Sequence, residues 1–117
     1  MEKVNLFLYK GQTYQRNFVI SNFTMPITQI YLTVKEKADD KNVVFQKKIG
    51  SGITLMDYTD GIYTYLFEIE SNDTEYLKTD YKYGYDITLK SDDFKMPIAM
   101  GELVINPVYT RKCDETW

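Results

Sequence analysis

The segment IYTYLFEIE, residues 62–70, shows the clearest alternation of side-chain type in the chain. Such a period of two residues is the pattern of a β-strand, because successive side chains point to opposite faces of a sheet. The segment therefore predicts a strand with one aromatic and aliphatic face, which carries Tyr63, Tyr65, Phe67 and Ile69.

Further period-two segments lie on both sides of this strand, separated by turn residues at intervals of roughly 8–12 residues. They cover residues 4–9, 14–20, 29–35, 42–49, 53–57, 81–90 and 97–105. This spacing is typical of a β-sandwich or barrel, and the short connections favour antiparallel order. We predict an all-β fold, an antiparallel β-sandwich of about 7–9 strands, with one short helical turn near residues 72–78.

The length and composition limit what the chain can do. Its 117 residues suit one domain, so we assign residues 1–111 to a single β-sandwich domain and residues 112–117 to a polar C-terminal tail. The net charge of −3 argues against nucleic-acid binding, which usually needs a basic excess. No apolar run reaches the 18 residues of a membrane span, so we expect no membrane partner.

The side-chain composition also limits the catalytic chemistry that we expect of the chain. The chain has no histidine and a single cysteine, Cys113. It therefore lacks imidazole metal ligands, Ser-His and Cys-His nucleophile pairs, and the usual proton shuttle at neutral pH. We expect no enzymatic activity, no metal site and no cofactor.

Six short motifs follow one another along most of the chain. They are KGQTYQRNF at 10–18, YLTVKE at 31–36, VFQKKI at 44–49, a Gly-led strand at 61–69 closed by DTEYL at 73–77, YGYDITL at 83–89, and GELVI at 101–105 followed by VYTR at 108–111. In order and spacing they resemble a family of small phage virion domains, the N-terminal domain of baseplate upper proteins and its stand-alone relatives.

This resemblance implies an Ig-like β-sandwich that is a structural part of a bacteriophage virion and has no catalytic role. The chain would be made in the bacterial host cytoplasm and would bind other copies of itself or neighbouring phage structural proteins. Baseplate upper proteins usually continue into further domains, whereas this chain ends at residue 117. Positions in the tail or baseplate, in the neck or on the head are therefore all compatible with the resemblance.

If the protein works by docking, its two chain ends are the predicted docking segments. Both contain aromatic anchors, and both are free to reach a partner or to add a strand to a sheet. The residues concerned are Leu6, Phe7, Leu8, Tyr9, Val108, Tyr109, Arg111 and Trp117.

The eleven tyrosines suggest an alternative function, a carbohydrate-binding or adhesion module. Tyrosines on two neighbouring strands could form a stacking surface for a glycan, and the residues concerned are Tyr63, Tyr65, Tyr81, Tyr83 and Tyr85. A structural interpretation competes with this one, because tyrosines also pack at the edge of a sandwich or against another subunit.

Overall fold

A single ladder of nine strands curls into two facing layers in the part of the chain that the computed structural model describes, residues 2–110. The strands are β1 Glu2–Lys3, β2 Leu6–Tyr9, β3 Tyr14–Ile20, β4 Gln29–Lys35, β5 Phe45–Ile49, β6 Gly52–Thr59, β7 Ile62–Ile69, β8 Lys82–Ser91 and β9 Phe94–Asn106, with a helical turn α1 at Ser71–Thr74 between β7 and β8.

The two layers have the arrangement of an immunoglobulin-like sandwich. Strands β3, β7 and β6 form one layer, and β5, β4, β8 and β9 form the other, with β1 and β2 beside β9. Only two residue pairs, Lys48 with Gly52 and Ile49 with Ile53, join β5 to β6 where the ladder passes from one layer to the other. The prediction of an all-β, Ig-like sandwich is confirmed.

Three pairings depart from the antiparallel order expected for the whole fold. Strands β1 and β2 run parallel to β9, and β5 runs parallel to β6. β2 leads through a turn into β3 of the opposite layer, so no hairpin links β2 to β9. The chain path therefore does not require β2 and β9 to run antiparallel. The helical turn begins at Ser71 and ends at Thr74, earlier than the predicted range of 72–78.

The core lies between the layers and follows the alternation seen in the sequence. Ile30, Leu32 and Val34 of β4 are at most 2% exposed, and they belong to the same apolar cluster as Phe67 and Ile69 of β7. Burial of one face of each layer supplies the main driving force for folding. The side chains on the outer faces remain available for contact with other molecules.

A hydrogen bond from the backbone fixes the corner that leads into β8. The amide of Lys78 donates to the Tyr83 hydroxyl at 2.9 Å, and Tyr83 itself is 3% exposed. A buried tyrosine near the start of this strand, bonded to the backbone a few residues upstream, is the tyrosine corner of Ig-like domains. The aromatic ring of Tyr81 packs edge-on against Tyr83, with centroids 4.8 Å apart.

Four residues from three separate parts of the chain form what we call the clasp: Gly11, Lys47, Asp73 and Thr74. The Lys47 ammonium lies 2.7 Å from the Asp73 carboxylate, and both side chains are less than one-fifth exposed. The buried Thr74 hydroxyl accepts a hydrogen bond from the Gly11 amide at 3.0 Å. The clasp therefore ties β5, α1 and the β2–β3 turn together at one end of the sandwich.

The link between β1 and β2 crosses β9 at Gly101. The amide of Val4 donates to the carbonyl of Met100 at 2.9 Å, and the Tyr85 hydroxyl donates to the carbonyl of Val4 at 2.5 Å. A Cβ atom on Gly101 would overlap that same Val4 carbonyl oxygen. Glycine at this position lets the two backbones approach closely.

We expect Lys47→Met to lower the free energy of unfolding by about 2 kcal/mol, because it leaves the half-buried Asp73 carboxylate without its cation. Lys48→Met is the matched control, since the neighbouring lysine is exposed and is expected to change stability by less than about 0.5 kcal/mol. Urea unfolding of the two variants checks the difference. Equal stabilities would show that the clasp does not hold the layers together.

Gly101→Ala is expected to cost about 1–3 kcal/mol, as overpacking does, and to detach β1 from β9. Gly84→Ala provides the comparison, because a Cβ there meets only the Lys35 carbonyl at 3.9 Å. Thermal unfolding reports the stability, and hydrogen exchange of the Val4 amide reports the detachment. If both variants melt at the same temperature, the close approach at Gly101 is not required.

Candidate docking surfaces

The predicted N-terminal docking segment is divided between the core and the surface. Leu8 is fully buried, so the prediction that this residue contacts a partner is wrong. The strand alternates, and the pairing of Leu8 with Ile105 turns its side chain inward, whereas Phe7 and Tyr9 point outward and are 65% and 54% exposed. Leu6 is half-buried against the core.

The C-terminal docking segment is only partly covered by the described residues. Val108 is half-buried, and Tyr109 is fully exposed. Arg111 and Trp117, together with the tail 112–117, lie outside the described residues, and their role stays a prediction.

Most of the proposed stacking surface is in the core. Tyr65, Tyr83 and Tyr85 are 3%, 3% and 6% exposed, so these three tyrosines cannot form a platform for a glycan. Strands β7 and β8 lie in opposite layers, because α1 carries the chain across the sandwich, and their tyrosines face inward rather than side by side. Tyr63 and Tyr81 are half-exposed. Tyr63 lies at the start of β7 and Tyr81 just before β8, which places them at opposite ends of the sandwich.

A different aromatic surface lies at the end of the sandwich opposite the clasp, and we call it the aromatic end. It surrounds an open concavity of about 820 Å³ between the β3–β4 loop and the β6–β7 hairpin. Its apolar and aromatic lining consists of Phe23, Met25, Pro26, Tyr58, Ile62 and Tyr63. Tyr58 is 57% exposed and rests against Tyr63, with ring centroids 4.4 Å apart.

The aromatic end continues along a free edge of β6. Beyond Ile53, β6 pairs with β7 on one side and with no other described strand. Every residue of β6 from Thr54 to Thr59 is exposed, and Leu55 and Met56, at a bulge between Leu55 and Asp57, are 46% and 58% exposed. Sequence reasoning missed this surface because alternation places Leu55 on the same face as the buried Ile53.

Burial alters the acidity of the tyrosines that lead from this surface into the core. Desolvation raises the pKa of Tyr63, and the neighbouring Tyr58 hydroxyl raises it further. The pKa of Tyr65 is raised chiefly by burial and secondarily by Tyr63, whose ring stacks on it with centroids 6.2 Å apart. The contacts from Tyr58 through Tyr63 to Tyr65 anchor the exposed Tyr58 ring on the core.

A second concavity, which we call the lysine groove, runs along the outer face of β4, β8 and β9. It has a volume of about 680 Å³, and its charged lining residues are Lys3, Lys35, Asp86, Lys90 and Lys95. Gly84 and Gly101 contribute to the lining without a side chain, which helps to make this face concave. From Gly84 to Lys90 the groove follows about 20 Å of β8.

Neither a metal-ligand cluster nor a membrane-spanning helix occurs among the described residues. Residues 2–110 contain no group of three or more Cys, Asp or Glu side chains arranged to hold a metal ion. The single described helix, four residues long, falls far short of the length that a membrane-crossing helix needs.

Comparisons with known proteins leave the function open. No protein-family model and no curated protein matches the chain. Among solved structures it is similar to the extracellular domain of the voltage-gated sodium channel β4 subunit, for which parallel homodimers explain a role in cell–cell adhesion. The two chains share 11% identity over 92% of this chain and 94% of the other, with a TM-score of 0.47. So low a similarity does not bear on function.

The raised pKa of Tyr65 predicts a loss of stability at alkaline pH. The folded protein holds this phenol proton more tightly than the unfolded chain, so its contribution is complete below about pH 10 and disappears as the pH rises through the raised pKa. We expect Tyr65→Phe to weaken the fall in unfolding free energy above pH 10, whereas Tyr76→Phe, at a site 83% exposed, leaves it unchanged. Urea unfolding across this pH range is the measurement, and identical slopes for all three proteins would contradict it.

Proposed function

We propose that this chain is a non-enzymatic structural protein of a bacteriophage particle, in the tail or baseplate, in the neck or on the head, and that it works by docking to neighbouring proteins. The observation that carries the docking part is the aromatic end with its extension along β6. There Tyr58, Met56 and Leu55 are about half exposed on one strand with a free edge. Clustered exposed apolar side chains of this kind mark interaction sites.

The composition of this surface suits a protein partner. Tyrosine and methionine are enriched in protein interfaces, and tyrosine loses little conformational entropy when it is fixed. Tyr58 is already held by its contact with Tyr63, whose ring stacks on the buried Tyr65. A side chain supported in this way is suited to be the central anchor of an interface.

The phage setting rests on the sequence resemblance. In the structure, the residues of those motifs serve the scaffold: Gly11, Lys47, Asp73 and Thr74 build the clasp, and Tyr83 closes the corner before β8. A shared scaffold explains why such motifs would recur in related domains. Apart from Ile62 and Tyr63, which fall in the Gly-led strand, the docking surface lies outside these motifs, at 55–58 and in the β3–β4 loop, where each protein would be free to match its own neighbour.

The proposal predicts that particles of the phage encoding this chain contain it. We expect mass spectrometry of purified particles to detect the protein, and Tyr58→Asp to reduce its incorporation at least about tenfold, because a charge at the centre of an apolar interface must be desolvated. Tyr76→Asp is the matched control, since Tyr76 is 83% exposed and lies at the clasp end.

Two results would overturn this proposal. Particles that lack the protein would remove the structural role. Normal incorporation of Tyr58→Asp would show that the aromatic end does not dock. Circular dichroism and melting temperature must first show that both variants fold as the unaltered chain does.

A glycan-binding module is the second candidate, now on different residues from those expected. The exposed Tyr58 ring stands beside a concavity that is also lined by Ser21, Asn22, Thr24 and Asp60, whose polar groups could bond sugar hydroxyls. Binding on a glycan array that disappears in Tyr58→Ala, while incorporation into particles persists, would favour this candidate over protein docking. Absence of binding to any glycan would exclude it.

A further inference from the structure

Charge is distributed unevenly between the lysine groove and the rest of the molecule. The groove contains four lysines and one aspartate, a net charge of +3. Since the whole chain carries −3, the residues outside the groove carry −6. A concave surface with the opposite charge to its surroundings attracts an acidic partner and orients it before contact.

Two of the lysines are placed so that they repel each other. Lys90 of β8 lies directly opposite Lys95 of β9 in the ladder, and like charges in such cross-strand pairs are unfavourable. The ion pairs found among residues 2–110 are Lys47–Asp73 and Lys78–Glu36, neither of which involves a groove lysine. Asp92 and Asp93 follow in the β8–β9 turn and are not part of the groove lining. An added carboxylate would relieve the repulsion between Lys90 and Lys95.

The most uniformly acidic element of the chain is the β6–β7 hairpin. No lysine or arginine occurs anywhere between residues 49 and 77. The tip of the hairpin carries Asp57 and Asp60 on either side of the exposed Tyr58. Asp57 accepts hydrogen bonds from the Thr59 hydroxyl in its own strand, and both carboxylates are exposed.

We propose that the lysine groove of one copy of this chain receives the β6–β7 hairpin of a second copy. The carboxylates of Asp57 and Asp60 face Lys90 and Lys95, and Tyr58 packs among the apolar and aromatic lining residues of the groove, which include Tyr31, Val43 and Met100. This inference rests on the proposed docking function and names the partner as the chain itself.

The geometry of the two surfaces decides the type of assembly. The hairpin lies at one end of the layer formed by β3, β7 and β6, whereas the groove lies on the outer face of the other layer. Two grooves cannot pair with each other, because their charges repel, so each contact joins a groove to a hairpin. A reciprocal exchange between two copies gives a closed dimer, whereas a one-way, heterologous contact generates rings where the rotation closes and filaments where it does not.

A reciprocal charge exchange tests this assembly. The groove variant is Lys90→Glu with Lys95→Glu, and the hairpin variant is Asp57→Lys with Asp60→Asn. Asparagine is used at position 60 because the backbone there has φ 51°, which asparagine tolerates. Lys37→Glu with Lys41→Glu, both in the exposed β4–β5 loop, is the control for the groove variant with the same change in charge.

Analytical ultracentrifugation at low salt supplies the readout. We expect the unaltered chain and the loop control to associate with rising concentration, and about 0.5 M salt to weaken this association, because salt screens exposed charges. Each variant alone should associate at least about tenfold more weakly, since its groove and hairpin then have charges of the same sign. An equimolar mixture of the two variants should regain association, because each groove again meets a hairpin of opposite charge.

Three outcomes would overturn the inference: an unaltered chain that stays monomeric at high concentration and low salt, a groove variant that associates like the unaltered chain, or a mixture that stays monomeric. Saturable binding of the groove to an anionic polymer such as heparin, without self-association, would also overturn it. The particle experiment separates this inference from the proposed function. A monomeric protein that is still incorporated into particles docks to another phage protein, whereas a self-associating protein absent from particles contradicts only the virion role.

Discussion

The ion pair between Lys47 and Asp73 reinforces the fold where strand pairing is shortest. Strands β5 and β6 share only two residue pairs, so the change from one layer to the other has little backbone support. The 2.7 Å contact from β5 to α1, together with the Gly11–Thr74 hydrogen bond, supplies that support with side chains. A four-residue helical turn would be marginal without these contacts.

Paired buried polar groups and exposed apolar side chains lie at opposite ends of the sandwich. At the clasp end, buried polar groups are paired, and their position depends on residues from three elements. At the aromatic end, the β3–β4 loop and the β6–β7 hairpin expose tyrosine and methionine side chains that the core does not need. Such a division lets a docking surface vary in sequence without loss of the fold, because no contact of the clasp passes through it.

The predictions from sequence succeeded where alternation continues without interruption. The grouping of Tyr65, Phe67 and Ile69 on one face of β7 was confirmed, and a helical turn follows this strand, although at 71–74 rather than 72–78. Exposure of particular tyrosines could not be predicted, because alternation separates two faces without saying which face is buried. The exposed pair Leu55 and Met56 was missed because alternation groups Leu55 with the buried Ile53, whereas β6 is exposed on both faces from Thr54 to Thr59.

The sequence by itself determined the class of fold. Period-two segments at regular spacing indicate a two-layered sheet, and the chain has no histidine to supply an imidazole ligand or proton shuttle. Only the tertiary structure decided where the surfaces lie. Lys3, Lys35 and Lys90 converge in one groove, and Met25 and Tyr58 meet at one end, although wide intervals of sequence separate them. Such proximity follows from strand order and layer packing, which depend on long-range contacts that local patterns do not encode.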